Sequence, residues 1–265
     1  MKKIVVFGIC GKMGRAMTSE LLKEKDIEVI GGYDRDNIGE DIGSVTGSGI
    51  TGKKIYGSYD EIAALHPDLI IDFTTSEAAL KSIKWAIENK IDIVVGTTGL
   101  LKEEITKIEE KALGSSSKVF LVPNFSIGAV IMIKVSSMIA RYFDGCEIIE
   151  LHHDKKKDAP SGTSMLTAEN IAGPIRFNEK RLKDGEAETC ECSRGAFYEG
   201  IHIHSIRLPG FLAHQEVIFG TAGQTLSLRH DSTDRSSFYP GLMLAIREID
   251  TLSGFTFGLD KIIEL

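Results

Sequence analysis

Fourteen residues, LHHDKKKDAPSGTS (151–164), gather more reactive groups than any other stretch of the chain. His152 and His153 are adjacent and close a short apolar run. Lys155, Lys156 and Lys157 follow, and an Asp-Ala-Pro turn leads into Ser161-Gly162-Thr163, which reads as a helix start. In a regular strand neighbouring side chains point to opposite faces, so the two imidazoles have different surroundings. The first amides of a helix have no partner within it and attract an anion. The segment therefore suits a substrate carboxylate held on helix amides and a lysine, with an imidazole in reach to move protons. A solvated lysine run beside a hydrogen-bonded histidine is the plainer reading of the same residues.

A second constellation is GICGKMG (8–14), between an apolar run and an amphipathic stretch. Small residues there let the chain turn sharply, bring backbone close to a pyrophosphate and pack a helix against a sheet. The spacing is Gly-x-x-Gly-x-x-Gly, with Cys10 in the gap, and Gly11 and Gly14 fill the last two roles. Asp34 stands 20 residues beyond Gly14, at the end of the second predicted strand, where a carboxylate accepts from ribose hydroxyls. Arg35 next to it suits a 2′-phosphate or an adenine face. The pair predicts use of both NADH and NADPH. Ligands of open parallel sheets sit beyond the carboxyl ends of the strands. That places Thr74, Gly96, Thr97 and Thr98 at the nicotinamide end, with Pro123, Asn124 and Phe125.

These groups need elements to carry them. Lys3–Gly8 is a continuous apolar run, which marks a strand buried on both faces. Asp68–Thr74 reads as another buried strand, and Ile91–Gly96 and Lys118–Val122 as two more. Glu28–Asp34 is a further strand, and Gly39–Gly57 reads as a glycine-rich loop without period. Met13, Met17 and Leu21 give the first helix one apolar stripe. Residues 76–89 and 101–113 supply two more helices, and the alternation implies a parallel sheet. After Asn124 the rhythm changes. A long helix spans Ile127–Phe143, and IHIHSIRL (201–208), EVIFG (216–220) and TLSLRH (225–230) read as antiparallel strands with one wet face. The expected fold is α/β: a Rossmann-like parallel-sheet domain over 1–124 and 240–265, the latter opening with a helix over Pro240–Leu252, plus an α+β domain over 125–239 with a mostly antiparallel open sheet.

Bulk properties narrow the partners. The 265 residues carry a net charge of −7, a poor match for nucleic acid or an anionic membrane, both of which need a positive field. No apolar run approaches the ~20 residues of a membrane span. The start, MKKIVVFGICGKMG, reads as a buried first strand rather than a signal peptide. Four cysteines suit a reducing cytoplasm. Cys190, Cys192, His202 and His204 have spacings that a metal could use. Alternating histidines on a half-wet strand explain them as well, and no metal is expected.

In order along essentially the whole chain, GxxGxMG, DFT, GTTG, NFSIG (124–128), HHxxKxDAPSGT (152–163) and RLPGFLAHQEVIF (207–219) resemble the dihydrodipicolinate reductases. The long central motif is the specific one. The resemblance implies NAD(P)H-dependent reduction of 4-hydroxy-tetrahydrodipicolinate, a cyclic dicarboxylate, with loss of water, on the diaminopimelate route to lysine. It implies that His152 is a proton donor and acceptor and Lys156 a proton donor. His153, Gly162 and Thr163 would hold substrate carboxylates. Gly8, Ile9, Cys10, Gly11, Lys12, Met13, Asp34, Arg35, Gly96, Thr97, Thr98, Val122, Pro123, Asn124 and Phe125 would contact the cofactor. It also implies a homotetramer assembled through the second domain. Arg207 suits a structural ion pair as well as a place near the substrate. Other Rossmann-fold dehydrogenases and nucleotide-sensing proteins share the glycine loop, but a sensor has no use for His152, Lys156 and the helix start together.

Overall fold

A computed structural model describes every residue except 174–176 and 179. The chain divides into two units, Met1–Ser126 with Phe238–Leu265, and Ile127–Ser237. In the first unit β1 (Lys2–Phe7) is fully buried from Ile4 to Phe7, as an apolar run paired on both sides requires. The glycine loop leads into α1 (Lys12–Leu21), whose buried residues Gly14, Met17, Thr18 and Leu21 form the predicted stripe. Then come β2 (Ile27–Tyr33), α2 (Ile42–Thr46), β3 (Ile55–Tyr56) and α3 (Tyr59–Ala64). The regular crossovers follow: β4 (Leu69–Asp72), α4 (Ser76–Glu88), β5 (Asp92–Val95), α5 (Lys102–Ala112) and β6 (Val119–Leu121).

The glycine-rich stretch 39–57 is therefore not simple loop. Its structure rests on one carboxylate rather than on a hydrophobic period. Asp41 accepts from the amides of Gly43, Ser44, Thr51 and Gly52, capping α2 and closing the segment on itself. Ser58 and Glu61 make a capping box that starts α3.

The second unit holds α6 (Ile127–Ile139), β7 (Gly145–His152), α7 (Gly162–Ala172), β8 (Ala196–Tyr198), β9 (Ile201–Arg207), β10 (Ala213–Thr221) and β11 (Gln224–Ser232). Its sheet runs β11-β10-β7-β9-β8. All pairings are antiparallel except β7 with β9. IHIHSIRL thus runs parallel to β7, against the antiparallel expectation. The connection between them includes α7, and a long crossover is what parallel neighbours require. Cys146, Ile148, Ile201, Ile203, Val217 and Phe219 form the core with Ala168 and Ile171 of α7 and Met132 of α6.

The chain returns to the first unit as α8 (Tyr239–Glu248) and β12 (Phe255–Phe257). The first sheet has seven parallel strands in the order β12-β6-β5-β4-β1-β2-β3. Its inner part is the doubly wound dinucleotide-fold order, and the order reverses between β1 and β4, where such folds bind ligand.

Candidate active site

At the end of β1, Gly8 has φ +73°, a left-handed conformation that favours glycine. Its amide donates to Tyr33 O (2.9 Å), and Gly11 N closes the turn on Gly8 O (3.0 Å). A Cβ on Gly14 would lie 2.1 Å from Gly8 O, so only glycine lets α1 start this close to the strand. No side chain caps α1 and no acidic residue stands in its first turn. The amides of Lys12 and Met13, and the positive dipole end, are thus left for an anion. Ile9, within the turn, is fully buried. Burial pushes the Cys10 thiol up in pKa and Asp34 adds to this, against an Asn37 hydrogen bond. Cys10 is therefore a weak nucleophile.

Asp34 sits beside this loop, where its carboxylate accepts from Cys10 N (2.9 Å) and Asp36 N (3.2 Å). Arg35 is 93% exposed, with only a loose approach to Asp36 at 3.8 Å. The remaining candidates follow the carboxyl ends of three adjacent strands. Thr74 follows β4, Gly96, Thr97 and Thr98 follow β5, and Val122, Pro123, Asn124 and Phe125 follow β6. Gly96 is wedged between the Phe73 and Phe125 rings, where a Cβ would come within 2.6 Å of Phe125.

One residue under these loops carries no sequence signal beyond the DFT triplet. Asp72 is buried at the end of β4, and its Oδ1 accepts from Thr74 N (2.8 Å), Thr74 Oγ1 (2.6 Å) and Thr97 Oγ1 (3.1 Å). Burial pushes its pKa up, against the hydrogen bonds from Thr74, Ser82 and Thr97. The carboxyl ties the loops after β4 and β5 together.

In the second unit His152 ends β7, and His153 lies outside the strand and is exposed. Two residues before His152, on the same face, Glu150 is completely buried. His152 Nδ1 bonds Glu150 Oε2. Arg207, opposite His152 in the parallel register, reaches Glu150 with both terminal nitrogens, at 2.9 and 2.7 Å. Burial alone would raise the Glu150 pKa. The bonds from His152 and Arg207 overcome it and hold the carboxyl down to about 2. Arg207 Nη2 also donates to Asp158 O (2.8 Å), in the turn that carries Lys156. The Lys156 ammonium rests on the Asp158 carboxylate at 2.8 and 2.9 Å, while Lys155 and Lys157 are exposed.

The start of α7 is held from below. Ser161 Oγ accepts from Ser164 N (3.1 Å), so the third amide is taken and those of Gly162 and Thr163 are left. Ser164 Oγ donates to Gln215 Oε1 (2.8 Å), and Gln215 Nε2 donates to Thr167 Oγ1 (2.7 Å). This buried, satisfied network fastens the helix start to β10. A Cβ on Gly162 would meet nothing within 4 Å. Asp72, Glu150, Asp158 and Gln215 are the residues that sequence reasoning missed. For Glu150 the available signal is a charge in the core register of CEIIELH.

The metal-like spacings are absorbed elsewhere: His202 bonds Arg194 O and His204 bonds Glu147. Among the described residues no group of three or more His, Cys, Asp or Glu could hold a metal ion. Nor is any helix among them long and apolar enough to cross a membrane.

Comparison with known proteins gives a consistent result. The family model "Dihydrodipicolinate reductase, N-terminus" matches residues 2–125, and "Dihydrodipicolinate reductase, C-terminus" matches residues 128–263. The 4-hydroxy-tetrahydrodipicolinate reductase of Carboxydothermus hydrogenoformans is 43% identical over 99% of this chain and 100% of its own. That of Moorella thermoacetica is 43% identical over 99% of this chain and 98% of its own. A dipicolinate-bound dihydrodipicolinate reductase from Paenisporosarcina sp. TG-14 is 36% identical, covers 99% of this chain and all of its own, and superposes with a TM-score of 0.87. An amine dehydrogenase from Mycobacterium smegmatis, 12% identical with a TM-score of 0.68 over all of this chain and 96% of its own, shares the fold.

Proposed function

The chain belongs to the dihydrodipicolinate reductase family, and from that premise we propose how its residues divide the work of NAD(P)H-dependent reduction of 4-hydroxy-tetrahydrodipicolinate to tetrahydrodipicolinate. Per turnover the ring loses its hydroxyl as water and gains one hydride and one proton. When bound, the reduced nicotinamide supplies the hydride. The uncapped α1 start and the approach that only Gly14 permits suit its pyrophosphate. Asp34 receives ribose hydroxyls, while the exposed Arg35 is free to meet a 2′-phosphate, so both NADH and NADPH are accepted. Residues 96–98 and 122–125 line the nicotinamide end.

The amides of Gly162 and Thr163 hold one substrate carboxylate, with His153 assisting. The observation that carries this reading is the α7 start, where Ser161 occupies only the third amide. Lys156 exchanges its contact with Asp158 for a substrate carboxylate and is one of two groups, with His152, from which the single proton of the reaction can come. Hydride addition to a carbon conjugated with an imine leaves electron density on the ring. His152, held through Nδ1 by Glu150, moves the proton that this density requires. The assembly is a homotetramer, and four unpaired cysteines support a reducing compartment such as the cytoplasm.

The test is a coupled assay in which substrate is made in situ from pyruvate and aspartate semialdehyde and loss of the reduced nicotinamide absorbance is followed. Turnover with either nucleotide is expected. His152→Ala and Lys156→Ala should each lower kcat on the order of a hundredfold or more with unchanged nucleotide affinity. Loss of nucleotide binding in either variant contradicts the division of labour. Light scattering on the purified protein tests the tetramer.

A further inference from the structure

Glu150, fully buried, and Arg207, 18% exposed, form an ion pair on the face of β7 and β9 that also carries Cys146, Ile148, Ile201 and Ile203. A buried ion pair is weak evidence for stability, because apolar residues of similar size often serve as well. Its geometry suggests another use. Glu150 Oε2 receives both His152 Nδ1 and Arg207 Nη1, and Oε1 receives Arg207 Nη2. The two guanidinium nitrogens reach further, to Ile206 O and Asp158 O, both at 2.8 Å. One guanidinium thus fixes the carboxylate and the turn that presents Lys156.

We propose that Glu150 and Arg207 are positioning residues for the reaction: Glu150 locks His152 as the Nδ1–H tautomer, and Arg207 orients Glu150 and the Asp158 turn. An ionised carboxylate accepts and cannot donate, so the ring nitrogen it meets must carry the proton. Nε2 is then the nitrogen that exchanges a proton with the substrate in either charge state of the ring. A second nitrogen set by the bond of the first is a common device for histidine. His153, exposed beyond the strand end, has no such restraint among the described residues. The proposal rests on the proton-carrying role given to His152 above.

Histidine-selective 15N NMR of the full-length protein, with His152 assigned by loss of its signals in His152→Asn, reads the tautomer directly. In the neutral ring the wild type is expected to carry its proton on Nδ1. The Glu150→Leu/Arg207→Leu double variant removes both charges together and so avoids an unpaired one. It is expected to fold, to show a mixture of tautomers, and to lose kcat on the order of a hundredfold with unchanged NADPH affinity. Glu150→Gln, nearly the same shape, is expected to lower kcat at least about tenfold. A wild-type ring protonated on Nε2, or an Nδ1–H ring that persists in the double variant, overturns the proposal. The tautomer is read without turnover. A wild-type protein with the expected ring and no activity on the cyclic substrate would instead sink the function proposed above.

Discussion

Replacing Gly14 with alanine tests whether the α1 start is built for a dinucleotide. The added Cβ would lie 2.1 Å from Gly8 O, 2.8 Å from Ile9 Cα and 2.9 Å from Gly8 C. All three are backbone atoms, so no side chain can swing aside. Reaching an ordinary contact of 3.4 Å requires the start of α1 or the turn to retreat by about 1.3 Å, a distance at which a packed interior yields only with strain. Neither side moves freely. Gly8 is bonded through its amide to Tyr33, and α1 is anchored by Met17 and Leu21, each 1% exposed. Overpacking of this kind costs about 1–3 kcal/mol. The retreat also withdraws the helix amides and dipole from the pyrophosphate, which at up to ~2 kcal/mol is a roughly 30-fold loss of affinity. Gly14→Ala should therefore melt earlier by calorimetry and bind NADPH roughly 10- to 100-fold more weakly by fluorescence titration. Gly162→Ala, whose Cβ meets open space, is the control and should match wild type in both measurements. A Gly14→Ala protein with wild-type melting and wild-type NADPH affinity would refute the reasoning.

Other outcomes follow from the same structure. Arg35→Ala should lower kcat/KM for NADPH more than for NADH and leave urea unfolding within ~0.5 kcal/mol, since the side chain is 93% exposed. Ser161→Ala removes the cap on Ser164 N and should cost about 1 kcal/mol in urea unfolding while raising KM for the cyclic substrate. The Glu150 carboxyl is held down from 4.5 to about 2. Its contribution is complete above the unfolded value and is lost as pH falls from 4.5 toward 2, up to about 3 kcal/mol by linkage. The loss of stability to urea between about pH 5 and pH 2 should therefore be smaller in Glu150→Leu/Arg207→Leu than in wild type.

Much of the first unit could be read from local pattern. Ile4–Phe7 and Leu69–Ile71 are unbroken apolar runs because both faces are covered, and Met17 and Leu21 recur at helical spacing because one face is. The stretch 39–57 resisted reading because Asp41 organises it through backbone amides up to 11 residues away, and such bonds leave no hydrophobic period. IHIHSIRL alternates as a half-wet strand does, yet alternation carries no information about direction, and its parallel pairing with β7 emerged only from the sheet.

From its own residue types and spacings the sequence determined which segments are strands or helices, that α1 begins at a glycine turn with Asp34 beyond the second strand, and that HHxxKxDAPSGT gathers imidazole, ammonium and free helix amides. Each of these depends on neighbours within a few turns of chain. Only the tertiary structure decided that Arg207 lies opposite His152 and grips Glu150 from 57 positions away, that Asp72 joins Thr74 to Thr97, and that Gln215 fastens α7. Those partners meet because the register between distant strands is set by burial of whole faces, a collective balance that no single spacing records.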